Sequence, residues 1–128
     1  MTGNAAVAAT ILFLGMAVFQ VALALGAPLG QHVLGGRATG ALPARLRAAS
    51  TVAAVILVGA ATVVLARANL IGSPVEGNGL LAPACWVIAG YMALNTLGNL
   101  RSTSRLERTA FAAITAILAI LSGLVALG

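Results

Sequence analysis

Four apolar runs, at residues 5–27, 48–69, 80–100 and 109–127, fill nearly all of this 128-residue chain. A bilayer's hydrocarbon core is about 30 Å thick and needs about 20 helical residues per crossing at 1.5 Å each. Each run meets that length, and too little chain is left over for a soluble domain. Within hydrocarbon every backbone N–H and C=O has to find its partner inside the chain, so runs of this length cross as helices. The sequence predicts an all-α polytopic membrane protein: one transmembrane domain over residues 1–128, folded as a four-helix bundle.

Charge then sets the topology. Only 7% of the residues are charged, against roughly 25% in soluble domains. All seven cations are Arg, and Ala is abundant; that bias suggests a GC-rich bacterial genome. The first connection and the edge of the second span carry Arg37, Arg45 and Arg47, and the third connection carries Arg101, Arg105 and Arg108. The second connection has Arg67 at its edge and Glu76. In a four-span chain the first and third connections share a side, and positive residues are retained in the cytoplasm. The six-to-one split predicts a multi-pass protein of the bacterial inner membrane, N-out and C-out. The pI near 11.6 therefore reflects topology, and no nucleic-acid partner is expected.

The first run is read as a retained span. Ala22-Leu23-Ala24 resembles a processing site, but the preceding segment lacks a basic n-region and is longer than the roughly 7–15 apolar residues of a signal peptide. Gly26-Ala27-Pro28 ends that span, because Pro28 cannot continue a helix and restricts the residue before it. Gly72-Ser73-Pro74 and Glu76-Gly77-Asn78-Gly79 make the second connection, and Pro83 suits a first helical turn. Thr103 or Ser104 can cap the fourth helix. A faint parallel repeat relates Ala44–Arg47 to Ser104–Arg108, each opening an even-numbered span.

Lipid gives helices little hydrophobic reason to associate, so small residues mark their contacts. Ala112, Ala116, Ala119, Gly123 and Ala126 share one face of the fourth span, with Ile114, Ile117, Leu118, Leu121 and Leu124 opposite. Ala49, Ala53, Gly59 and Ala60 form a looser set on the second. These faces are expected to pack within the bundle or to form a homo-oligomer contact.

Polar groups inside the spans are few. Tyr91, Asn95 and Asn99 recur at steps of four, Ser102 continues their stripe, and Gln20 lies at the depth of Asn95. They either hydrogen-bond between the first and third helices or line a polar cavity open to the cytoplasm. No Asp, Glu, Lys or His falls inside a run, which argues against proton-coupled transport. Cys85 and His32 belong to opposite sides of the membrane, so no catalytic couple forms. His32, Cys85, Met16 and Met92 have no metal-ligand spacing. No enzyme activity, cofactor or metal is expected. His32 alone reads as a solvated loop residue, a haem ligand or a pH-responsive group.

The first connection is longer than a simple turn needs. Gly26-Ala27-Pro28-Leu29-Gly30, then Gly35-Gly36, then Leu42-Pro43-Ala44-Arg45-Leu46-Arg47 resembles a G-A-P-x-G, G-G, L-P-x-x-x-R pattern of small uncharacterised four-span bacterial integral membrane proteins, with Leu29 where an aromatic is expected. The resemblance covers about twenty residues and implies the architecture, with no chemistry attached. Read from its residues, this loop is either an interfacial cap or a site for an anion or anionic headgroup. In the second case Gly30, His32, Gly35 and Gly36 would act with Arg37, Arg45 and Arg47. With Arg101, Arg105 and Arg108 those cations would form a rim for anionic phospholipid headgroups. The function expected is a non-catalytic module that binds lipid or a partner membrane protein. The alternative is a channel or facilitator for a small solute, as a monomer or homo-oligomer.

Overall fold

The computed structural model describes residues 2–30, 33, 40–73 and 79–128. Four helices build an up-and-down bundle, and no strand occurs among the described residues: α1 (Thr2–Ala24), α2 (Ala44–Arg67), α3 (Leu81–Leu100) and α4 (Ala112–Leu127). One turn of π-helix, Glu107–Phe111, leads into α4. All four crossings are long and apolar enough to span a membrane. Both chain ends lie at one end of the bundle, where Gly128 meets the Thr2 side chain. The opposite end carries Arg45, Arg47, Arg101, Arg105 and Arg108, and is called the Arg-rich end below.

The helix ends follow from local chemistry. Gly26, at φ 99°, ends α1 in a Schellman motif: its N–H donates to the Leu23 carbonyl, and the Ala27 N–H to that of Ala22. A residue at positive φ suits Gly at such a site. Asn69, at φ 61°, closes α2 in the same way, with Leu70 donating to the Leu65 carbonyl; Asn tolerates this region better than a branched residue. The Pro43 carbonyl accepts from Leu46 and Arg47 to start α2. Ser104 caps the fourth crossing, accepting from the Glu107 N–H at 3.4 Å.

α1 packs along α2 and α3 along α4, and the two hairpins join mainly through α1 and α4. The α2–α3 seam is the thinnest contact between neighbours, which leaves α1 and α3 across a diagonal. Ala6, Ala9, Phe13 and Ala17 form the buried stripe of α1, meeting Leu57, Ala60, Ala61 and Val64 of α2, Cys85 and Met92 of α3, and Leu118, Val125 and Ala126 of α4. Alanines bring the backbones close, and Phe13 fills the centre. Large side chains such as Ile11, Val18, Val55, Val87 and Ile120 face outward, as a lipid-facing surface requires.

Two expected packing faces hold in part: Ala112 and Ala126 of α4 and Ala60 of α2 are buried. On α4 the buried set is Ala112, Thr115, Leu118, Ser122, Val125 and Ala126, so Leu118 is inside while Ala116, Ala119 and Gly123 are only partly covered. Thr115 is inside, where its hydroxyl bonds to the Phe111 carbonyl and accepts from Thr96, while the buried Ser122 hydroxyl has no partner among the described residues. Gly123 still serves as a contact, because a Cβ there would stand 3.4 Å from the Trp86 ring. On α2, Ala60 is buried and Ala53 partly so, as expected, whereas Ala49 and Gly59 are exposed and Ser50, Ala54 and Ala61 join the buried side.

Arg47 has a structural task. Its Nε donates to the Ala24 carbonyl at 2.9 Å, and its guanidinium lies against Gly26, 3.5 Å from where a Cβ would stand. It therefore satisfies an orphan carbonyl at the end of α1 and ties that end to α2. Arg47→Ala is expected to lower the unfolding free energy by about 1.5–3 kcal/mol, the range for hydrogen bonds to charged groups. Reversible SDS unfolding would measure it. Equal stability of the two proteins would show that the contact contributes nothing.

Candidate functional site

The polar residues of the bundle converge on one cavity of about 290 Å³ in its Arg-rich half. α1 contributes Met16, Gln20 and Leu23, α2 contributes Leu46, Ser50 and Ala53, α3 contributes Asn95 and Asn99, and the fourth crossing contributes Glu107, Phe111 and Thr115. Val33 and Leu42 of the first connection cover its mouth. Those two residues and Leu23 form a second apolar cluster, with Phe19, Leu29, Leu46 and Phe111 packed around it. Phe19 and Phe111 meet edge to face, with ring centroids 5.0 Å apart. The base of this cap is closed by the buried Gly30, whose N–H donates to the Gly40 carbonyl at 2.7 Å. Gly40 sits at φ 73°, a conformation in which a side chain would be strained.

A direct bond between Gln20 and Asn95 does not form. Their helices lie on the bundle diagonal, and the Asn95 amide donates instead to the Tyr91 carbonyl of its own helix at 2.9 Å. Gln20 has no hydrogen-bond partner among the described residues, and its amide lines the cavity. The bond between α3 and α4 is made by residues that sequence reasoning overlooked. Thr96 donates to Thr115 at 2.8 Å, and Thr115 donates to the Phe111 carbonyl at 2.9 Å. The Asn99 amide makes a longer contact, 3.5 Å, with the same Thr115 oxygen. Thr115 is 1% exposed, so this junction is shielded from competing water. Ser50 is 6% exposed; its hydroxyl has no partner among the described residues and opens into the cavity.

An ionisable residue does accompany this group, contrary to the reading of the apolar runs. The fourth crossing begins at Glu107, ahead of the apolar run, and its first turn is π-helical. Glu107, Phe111 and Thr115 follow at steps of four and all line the cavity. π-turns recur at functional sites because they re-aim side chains. Ser102 Oγ donates to Glu107 Oε1 at 2.5 Å, holding the carboxylate at the mouth. No cation is among the described residues that line the cavity.

Tyr91 is 44% exposed and stands at the inner limit of this region. It joins Met16, Gln20, Ala53, Ile56, Leu57, Met92, Asn95 and Thr115 around a smaller void of about 60 Å³. Arg45, Arg101, Arg105 and Arg108 are exposed, with a 3.5 Å contact from Arg108 to the Ser102 carbonyl. Arg37, His32, Gly35 and Gly36, with Glu76 of the second connection, lie outside the described residues. No group of three His, Cys, Asp or Glu that could hold a metal occurs among the described residues.

No protein-family model, curated protein or solved structure matches this chain. The functional reading therefore rests on the cavity itself.

Proposed function

We propose that this chain is a non-catalytic membrane module that binds a ligand in the Arg-rich half of the bundle. The observation that carries this reading is the gathering of Gln20, Ser50, Asn95, Asn99, Glu107 and Thr115 around one cavity. Gln20 and Ser50 make no hydrogen bond among the described residues and line the cavity, so their donors and acceptors are open to a bound molecule. A ligand would satisfy them. The void is close to the lower end of small-molecule sites, roughly 300 Å³.

The facilitator reading keeps one observation on its side, since the same polar groups would line half of a path. The other half is filled by Ala6, Ala9, Phe13, Val64, Leu118 and Val125, all buried. Flux would need that core to open, so binding without conduction is the better reading. Liposomes holding the purified protein are expected to show no solute flux above protein-free vesicles. Robust flux abolished by Asn95→Leu would replace the module with a facilitator.

The Arg-rich end is proposed to face the cytoplasm of a bacterial inner membrane, with both termini outside. The four exposed Arg of the described residues would each contribute about 1 kcal/mol of attraction to anionic headgroups. Cysteine placed at the exposed Ala41 should resist an impermeant thiol reagent in intact cells and react after permeabilisation. Ready labelling of intact cells would invert the orientation.

A further inference from the structure

Unused hydrogen-bonding groups mark a course through the bundle. Gln20 and Ser50 line the 290 Å³ cavity and make no hydrogen bond among the described residues. Asn95 spends its Nδ2 on the Tyr91 carbonyl, which leaves its Oδ1 as an acceptor. Tyr91 comes next. It lines the 60 Å³ void together with Gln20 and Asn95, and its phenol makes no hydrogen bond among the described residues. With Ile56 and Met92 it also lines an apolar groove of about 570 Å³. Three contiguous voids thus join the Arg-rich half of the bundle to its outer surface.

The groove lies between α2 and α3, walled by Ala60 and Val63 on one side and by Ala84, Val87 and Ile88 on the other. These helices make the thinnest contact between neighbours, and Val87 is 72% exposed, so the groove opens to the bilayer. Tyr91 is its one polar side chain. Along α3 the chemistry therefore runs from amide, at Asn99 and Asn95, through phenol, at Tyr91, to hydrocarbon, at Val87 and Ala84. Asn99 and Val87 stand about 18 Å apart on the helix at 1.5 Å per residue. A second apolar groove, between α1 and α2, shares none of its lining with the cavity.

Resting on the ligand-binding reading above, we propose that the ligand is a single-chain lipid whose uncharged polyol or carboxamide head is joined to its tail through a carbonyl. The head lies among Gln20, Ser50 and Asn95. A side-chain amide or hydroxyl both donates and accepts, so this wall matches a head that does the same. The Tyr91 phenol donates to the linking carbonyl, and the tail occupies the groove beside Ala60 and Val87. The absence of charge follows from the route. A molecule entering from the bilayer through the α2–α3 seam passes Ile56, Met92 and Tyr91, where an ionised head would lose its hydration at far greater cost than a hydroxyl. One hydrocarbon chain fits the narrow passage at Tyr91, where a two-chain lipid would have to part the helices.

Binding of dodecanoylglycerol to the full chain in zwitterionic nanodiscs tests this, with empty nanodiscs subtracted. Saturable binding at one molecule per chain is expected. Gln20→Leu, which removes head contacts, should weaken it about tenfold, and Tyr91→Phe, which removes only the phenol hydroxyl, about threefold. Ala84→Phe and the exposed-site variant Val87→Trp, which both narrow the groove, should each weaken it about tenfold. Tighter binding of dodecylamine or dodecyl phosphate than of dodecanoylglycerol would overturn the uncharged head. Dodecane binding as tightly as dodecanoylglycerol, with no response to Gln20→Leu, would overturn the placement of the head. Glycerol binding as tightly as dodecanoylglycerol, unaffected by Val87→Trp, would overturn the tail path and leave the cavity-binding reading intact. No saturable binding by any of these probes would overturn the lipid proposal; whether Ser50→Leu removes a co-purified molecule from native mass spectra judges the cavity-binding reading separately.

Discussion

Phe13→Ala should lower the unfolding free energy of the bundle by about 2–3 kcal/mol, while Ile11→Ala, one turn-face away, should cost less than about 0.5 kcal/mol. Phe13 is fully buried among all four helices and Ile11 is 65% exposed. In a soluble protein, truncating a buried Phe costs about 3–5 kcal/mol, made of a transfer part and a cavity part. Here the unfolded reference is a set of separated helices still in lipid, and lipid solvates a phenyl ring well, so most of the transfer part cancels. The cavity part remains. A void on the order of 100 Å³ at about 24 cal/mol per Å³ gives about 2.4 kcal/mol. Reversible unfolding in mixed micelles would report both variants. Equal losses at the two positions would mean that packing around Phe13 does not hold the bundle together.

The spans were legible because the bilayer imposes a length, and four runs of that length leave little choice of architecture. The end of α1 was legible too, since Gly26-Ala27-Pro28 is a stop signal that works through backbone conformation alone. The order of helices around the bundle was not. A single sequence shows which residues share a face of one helix, but not which helix lies opposite. Gln20 and Asn95 therefore looked like bonding partners, when they face a common void from diagonal helices.

Short hydroxyl side chains were the other blind spot. Ser50, Thr96 and Thr115 sit in Ala-rich stretches and hardly disturb hydropathy, yet they supply the helix junction and part of the cavity wall. The spacing of Thr115 and Ser122, seven residues apart on one face, was the available signal for the buried side of α4. Glu107 precedes the apolar run at 109–127, so hydropathy alone places it in the third connection. Its place in the site depends on a π-turn that no residue pattern announces. Arg47 reads as one cation among several, and only the proximity of the Ala24 carbonyl turns it into a helix cap.

Ser50→Leu is expected to separate stability from ligand binding. Ser50 is buried as a residue, makes no hydrogen bond among the described residues, and lines the 290 Å³ cavity. A hydroxyl that makes no hydrogen bond contributes little to stability, and a leucine there adds hydrocarbon beside Met16, Leu46 and Phe111, which line the same cavity. The variant should unfold at a temperature equal to or above that of the parent, because Leu also favours the helix more than Ser. The same side chain occupies the space in which a ligand would lie, so ligand retention in native mass spectra should fall at least tenfold. A site kept polar for function would show this opposition between stability and binding. If Ser50→Leu destabilised the bundle and left binding unchanged, the hydroxyl would be a structural group and the ligand would lie elsewhere.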